Sequence, residues 1–273
     1  MSAERGRVIP PGFGAHVEAM VALGARLEGH LTAREIRFLS LLAAVPTADG
    51  EVLEIGSFKG KSTIILAKSV VLAGGSRVVA VDPLTLPSVT DPDIGDASGL
   101  RATLRANLLT QGVAKMVDFH QMRAEELGRT WTEPLRLLWI DGDHTYAGAH
   151  RDLETFAPFL SSGAIVAFHD TLHRFDGPVR VVCESLLLSD RYGASGVCGS
   201  IAWSQFVGDP VAARPFVPAK RRLHRQLSRL IPHVSAANPG SAVNRLLFGL
   251  KRRLVPHGDV DPERWLASLR RAT

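Results

Sequence analysis

Cysteine is nearly absent. The chain has two in 273 residues, Cys183 and Cys198. Both sit in apolar stretches without metal or redox spacing, so they read as reduced, buried thiols rather than a disulfide framework or a thiolate metal site. No apolar run reaches the roughly 18 residues of a membrane span, so no transmembrane segment is expected. The N-terminus, MSAERGRVIPPGFG, lacks the apolar core of a secretory signal, and the expected location is the cytoplasm. Aromatic residues make up 6% of the chain, with no evident stacking platform for nucleic-acid bases. The dinucleotide fingerprint G-x-G-x-x-G is also missing, because its second glycine would fall where Phe58 stands. No internal repeat is visible.

Acidic residues are scarce only at one end. Residues 211–273 hold 13 Lys+Arg against 3 Asp+Glu, a net +10, while the rest hold 19 against 24, a net −5. The formal +5 of the whole chain therefore describes its tail. Beyond Pro210 the sequence becomes Pro-punctuated and basic: KRRLHRQLSRLI, SAVNRLLFGLKRRL, DPERWLASLRR. These segments read as amphipathic helices packed on the domain or on a second subunit. Residues 220–231 and 243–254 also suit an anionic membrane or a nucleic acid.

What is present is a strand–helix alternation. Helical periodicity covers 14–29 and 33–45, and Thr32 with Glu35 forms a capping-box pattern at the second start. Strands are expected at 52–55, 77–81, 116–120, 135–140 and 164–168. Helices are expected near 60–73, 98–111, 124–127, 145–160 and 179–188. Two short strands near 192–198 and 200–206 read as a hairpin. A Pro- and Asp-rich loop over 83–97 is long enough to be a lid or binding loop. The expected fold is α/β, a Rossmann-like, doubly wound, mostly parallel seven-stranded sheet with an antiparallel terminal hairpin, plus N-terminal and C-terminal helices. The expected organisation is an N-terminal helical segment (1–48), a central domain (49–208) and a basic helical extension (209–273).

In such a sheet, ligands bind where strands end. Strand one ends in EIGSFKGKST (54–63). Strand two ends in Asp82, the third near Arg123-Ala124, the fourth in Asp141-Gly142-Asp143-His144, the fifth in His169-Asp170. Gly56 and Gly60 let the backbone approach a ligand, and the helix start favours an anionic group. GSFKGKST nearly spells a P-loop, but has three residues where that motif needs four. A nucleotide hydrolase thus remains an alternative. Asp82 decides toward a nucleoside, since an acid there accepts hydrogen bonds from ribose hydroxyls. Asp141, Asp143 and Asp170 would crowd negative charge on one rim, which calls for a cation or a shared proton.

VLEIGSFKGKST, VVAVDP and LRLLWIDGDHTYAGAHRDLETFAPFLSSGAIVAFHD together resemble the class I S-adenosylmethionine methyltransferases. More narrowly they resemble the metal-dependent O-methyltransferases related to macrolide-sugar methyltransferases and the cephalosporin-hydroxylase-like group, over residues 50–207. The resemblance implies that Glu54, Gly56, Ser57, Gly60 and Ser62 line the methionine part of the cofactor. It implies that Asp82 holds the ribose, that Arg123 and Ala124 border the adenine, and that Asp141 also borders the cofactor. It further implies a divalent metal, magnesium by family habit, on Asp141 and Asp170 together with His169, which stands where relatives carry an acid. His144 is then the candidate general base. The implied acceptor is a small molecule or oligosaccharide bearing a sugar hydroxyl, with a catechol-like phenol as the second choice. No nucleic-acid partner is expected, and the terminal helices are candidates for homo-oligomer contacts. His150 reads as structural, and Tyr146 as either pocket lining or packing.

Overall fold

The computed structural model describes residues 8–75, 77–85, 99–234 and 242–269. Two helices come first, α1 (Phe13–Gly24) and α2 (Ala33–Ala44). The Thr32 cap forms as expected: its hydroxyl accepts from the Glu35 amide, while the Glu35 carboxylate accepts from the Thr32 amide. The alternating part follows as β1 (Glu51–Ile55), α3 (Lys61–Leu72), β2 (Val78–Val81), α4 (Leu100–Thr110), β3 (Val117–His120), α5 (Ala124–Gly128), β4 (Leu135–Ile140), α6 (Tyr146–Phe156) and β5 (Leu160–Phe168). Then come α7 (Asp176–Val181), which runs on as a π-helical turn to Leu187, and the hairpin β6 (Tyr192–Cys198) and β7 (Ile201–Phe206). The tail adds α8 (Pro210–Ala213), α9 (Val217–Leu227), α10 (Ala242–Arg252) and α11 (Pro262–Ser268).

The seven strands lie in the order β3-β2-β1-β4-β5-β7-β6. Strands β1 to β5 are parallel, and β7 runs antiparallel to both β5 and β6. This is the Rossmann-like α/β sheet with a terminal hairpin that the alternation implied. Order reverses between β1 and β4, which places the switch-point crevice at their C-terminal ends.

The central strands β2, β4 and β5 are mostly apolar because helices cover both faces. On one face Val52, Leu137, Trp139 and Ile165 pack with α1, α2 and α3. On the other, Leu53, Ile55, Leu138 and Ile140 pack with α6, α7 and α9. Leu223, Leu227 and Leu230 bring the start of the basic tail into that second core. Lys220 is buried there too, its ammonium donating to the Ser189 and Tyr192 carbonyls.

Three boundaries differ from the sequence expectation for local reasons. Helix α6 stops at Phe156, since Pro158 turns the next residues into a 3-10 turn. Strand β5 starts at Leu160 rather than Ala164, because the pairing register with β4 shifts between Leu160 and Ile165 and Gly163 takes φ +96 there, a bulge. Helix α1 ends at Gly24, short of residue 29. The expected loop over 83–97 lies outside the described residues from 86 onward.

Candidate active site

Three non-glycine residues among those described have positive φ: Phe58 (47°), Leu84 (54°) and Asp170 (53°). All three stand just past a strand end, after β1, β2 and β5. Backbone strain of this kind persists only where its surroundings over-determine it, and it concentrates at functional rims.

The loop after β1 is held from inside the chain. The Asp82 carboxylate accepts from the Ser57 and Phe58 amides, both at 2.8 Å, and from the Leu84 amide at 2.7 Å. Gly56 has φ +90, and a Cβ there would meet the Asp141 carbonyl oxygen at 2.2 Å. The glycine thus lets the β1 end lie against the β4 end, across the switch point. Gly60 (φ +89) leaves room for Leu104 in the same way. Both glycines have an intramolecular reason beyond the ligand approach read from the sequence.

Glu54 ends β1 fully buried. One carboxylate oxygen accepts from the Ser57 and Thr63 hydroxyls, and Ser62 also hydrogen-bonds this carboxyl. The other oxygen, Oε1, has no hydrogen-bond partner in the structure. Burial pushes the Glu54 carboxyl up to about 7, against these hydroxyls. Arg123 caps α5 through its amide, which donates to Glu126, and Ala124 is buried beside it.

The chemistry-bearing cluster stands at the ends of β4 and β5. Asp141, His144 and Asp170 each offer a ligand atom, and these atoms lie within 4.8 Å of one another. His144 Nε2 lies 3.6 Å from Asp141 Oδ1 and 3.4 Å from Asp170 Oδ2. The imidazole is stacked on Phe175, ring centroids 4.5 Å apart and planes 11° off parallel, which fixes its direction.

His169, a metal ligand by resemblance, faces three carboxyl groups in the structure. Its Nδ1 is 3.0 Å from Asp141 Oδ1 and 3.3 Å from Asp170 Oδ1, and its Nε2 is 3.8 Å from Glu35 Oε2. The ring lies between two acidic groups with 3% of its side chain exposed. Burial disfavours its charge, yet Asp141, Asp170 and Glu35 outweigh burial and raise it well above the ordinary histidine range. Asp141 shows the counterpart: burial opposes its charge, but His169 and His144 hold its carboxyl far below the usual range.

Glu35 is the residue that sequence reasoning missed. It reads as a capping-box acid, and it is one, but it is also 3% exposed and backs His169. Its Oε1 accepts from the Ser200 amide at 2.6 Å. Burial alone would raise its carboxyl, but His169 and Thr32 outweigh burial and hold it at about 2. Nothing in a local capping pattern announces a contact 134 positions away along the chain.

Asp143 does not join the cluster. It is exposed and accepts from the Thr145 amide at 2.8 Å, ahead of α6. Tyr146 packs under the Arg180 guanidinium, 3.9 Å above its ring, and donates to Glu184 at 2.7 Å. His150 stacks obliquely on Tyr146.

Residues 53–171 match the family described as Methyltransferase domain. The match covers 119 of the chain's 273 residues, from within β1 to just past β5. Glu54, Asp82, Asp141, His144, His169 and Asp170 all fall within it. Solved structures carry the same class I methyltransferase fold at low identity. The O-methyltransferase NovP aligns with a TM-score of 0.57 at 13% identity, over 71% of this chain and 99% of its own. Cofactor-bound Rv0187 from MTB aligns at 0.52 with 20% identity, over 76% of this chain and 94% of its own. TomG, an O-methyltransferase from Streptomyces achromogenes involved in tomaymycin synthesis and solved in complex with SAM, aligns at 0.50 with 20% identity, over 76% and 100%. The matched stretch thus holds β2 to β5 and most of β1, the strained rim and the acid–imidazole cluster. The helices outside the match add Glu35.

Proposed function

We propose that this protein is an S-adenosylmethionine-dependent O-methyltransferase that works with a divalent cation. Its acceptor is a hydroxyl of a sugar, an oligosaccharide or a glycosylated natural product. The observation that carries the metal part is the convergence of Asp141, His144 and Asp170 at adjacent strand ends.

The donor set fits a hard divalent cation. Three carboxyl groups, Glu35, Asp141 and Asp170, stand with two imidazoles, His144 and His169, at this rim. Asp141 and Asp170 would supply the oxygens that magnesium or manganese prefers. A cation held by Asp141 and Asp170 would supply Lewis-acid polarisation of the acceptor hydroxyl, making its proton easier to remove. His169 does not ligate in this reading. It holds the Asp141 carboxylate from behind, with Glu35 holding His169. His144 Nε2 takes the acceptor's proton, its ring kept in place by Phe175.

The first strand end fits an amino-acid-like cofactor. Glu54 Oε1 is a buried acceptor that suits an ammonium, and the N-terminus of α3 suits a carboxylate. Ser57, Gly60 and Ser62 border the same corner, Asp82 faces the ribose side, and Arg123 and Ala124 close the adenine side. S-adenosylmethionine supplies an electrophilic methyl group; the chain's part is to position the acceptor oxygen against it and to keep water out. The near-P-loop is not used as one. The Ser57 and Phe58 amides, which a phosphate cradle would present to its ligand, already donate to Asp82. The saccharide acceptor rests on the resemblance to macrolide-sugar methyltransferases.

The test combines cofactor titration, metal content and turnover on sugar acceptors. The wild-type protein should bind S-adenosylmethionine, ignore ATP, and lose turnover to a chelator. Asp141→Ala should lose bound metal and turnover, by about three orders of magnitude if the cation is essential. His144→Ala should keep the metal and lose about 10²–10⁴-fold in turnover. Loss of metal from His144→Ala would make His144 a ligand instead, and near-normal turnover in Asp141→Ala would overturn the metal reading.

A further inference from the structure

The tail contains one helix that the fold does not absorb. Helix α10 has no buried residue. Val243, Leu246, Leu247, Leu250 and Leu254 are 63%, 64%, 36%, 51% and 60% exposed. Their spacing of three, four and seven puts them on one face, in and just beyond a helix about 16 Å long. Phe248, on the other side, packs against the domain core, and Lys251 reaches His233. The helix is therefore anchored by one side, and its apolar stripe faces away from every described residue that packs on it. A patch of this kind, rimmed by charge, marks an interaction surface rather than a scattering of surface leucines.

The charge around the stripe says what kind of surface fits. Between Asp209 and Asp259 the chain has ten Lys or Arg and no Asp or Glu. Lys251 and Arg253 flank the stripe on the helix, and Arg252 follows on its back. Helix α9, whose Gln226 side chain donates to the Leu254 carbonyl at the end of α10, exposes Arg221, Arg222 and Arg225 opposite its buried leucines. A second copy of this chain pairing through the same face would bring these like charges together without an acidic partner in the segment. An anionic bilayer meets both needs, taking the leucines into the boundary between headgroups and chains and the cations among its phosphates.

We propose that α10 is an interfacial helix that docks the enzyme on an anionic membrane surface. It lies in the plane of that surface and does not cross it, since no helix among the described residues is long and apolar enough to span. This holds whatever the acceptor is, and its test does not depend on methylation.

The experiment is flotation of the full chain with vesicles of phosphatidylglycerol in phosphatidylcholine, and with phosphatidylcholine alone, at low and high salt. The protein should float with the anionic vesicles, less so at high salt, and stay behind with the neutral ones. Leu246→Glu combined with Leu250→Glu should cut the bound fraction at least about tenfold, and Arg225→Glu combined with Arg253→Glu should weaken it further from the charge side. All four side chains lie outside the core, so an unchanged thermal melt should accompany the loss. Sedimentation measured beside flotation gives the rival occupant its chance. A dimer broken by the leucine variant, with no flotation, would assign the stripe to a second copy. Flotation equal on both vesicle types, or unaltered in the leucine variant, would overturn the proposal as well.

Discussion

Glu54 combines full burial, an unpartnered oxygen and a raised carboxyl. In the folded protein it keeps its proton up to about pH 7, whereas the unfolded chain ionises near the ordinary 4.5. Its contribution to stability therefore falls as pH rises from about 4.5 to about 7, because only the unfolded state has released the proton. A cationic ligand reverses the preference, since it binds the ionised form. S-adenosylmethionine should accordingly bind more tightly as pH climbs through about 7, by up to roughly tenfold per unit below that point. Calorimetric titration across pH 6–8 (roughly the span around this pKa) checks it, and Glu54→Gln should bind weakly with no such slope. A slope that persists in Glu54→Gln would place the titrating group elsewhere.

At the scale of elements, α2 is more than a lid on the sheet. Its first turn carries Glu35 to the Ser200 amide on the β6–β7 turn and toward His169 beyond β5. Breaking a buried charge pair from one side costs about 3–5 kcal/mol. Glu35→Ala should destabilise on that order, and it should also loosen Asp141, so that metal affinity falls together with the melting temperature. The acid limb has a clear sign. Glu35 is held at about 2 against an ordinary 4.5, so its stabilisation is present above about pH 4.5 and is lost as pH falls toward 2. Denaturation followed between those limits should therefore be less steep in Glu35→Ala. An unchanged acid limb would mean that the Glu35–His169 contact contributes nothing to folding.

Over the whole molecule, the terminal segments close on one aromatic cluster. Phe38 of α2, Trp203 of β7 and Trp265 of α11 have ring centroids 5.9–6.3 Å apart. Trp265 is 3% exposed and joins the same core as α1 and α2. Trp265→Ala should cost about 3–5 kcal/mol by leaving a large cavity between three segments distant in sequence. Urea unfolding should show one cooperative transition shifted to lower denaturant. A separate early transition of the tail would show instead that residues beyond Pro210 fold as an independent piece.

Strand positions, the capping box of α2, the hairpin and the polar residues at each strand end were legible in the sequence. Each depends on local chemistry: apolar runs for strands buried on both faces, and Thr32 ahead of Glu35 for a helix start. Asp141 and Asp170 stood out as acids at adjacent strand ends, and the tail's charge was plain from counting. Tertiary structure alone decided what those groups face. It turned Asp143 toward a helix start, put His169 between Asp141 and Glu35, and brought His144 onto Phe175. It also buried the leucines of α9 while leaving those of α10 outside, although both helices have apolar stripes. A side chain's neighbours across the fold are set by how elements pack, and no pattern along one segment records which other segment will supply its charge or its cover.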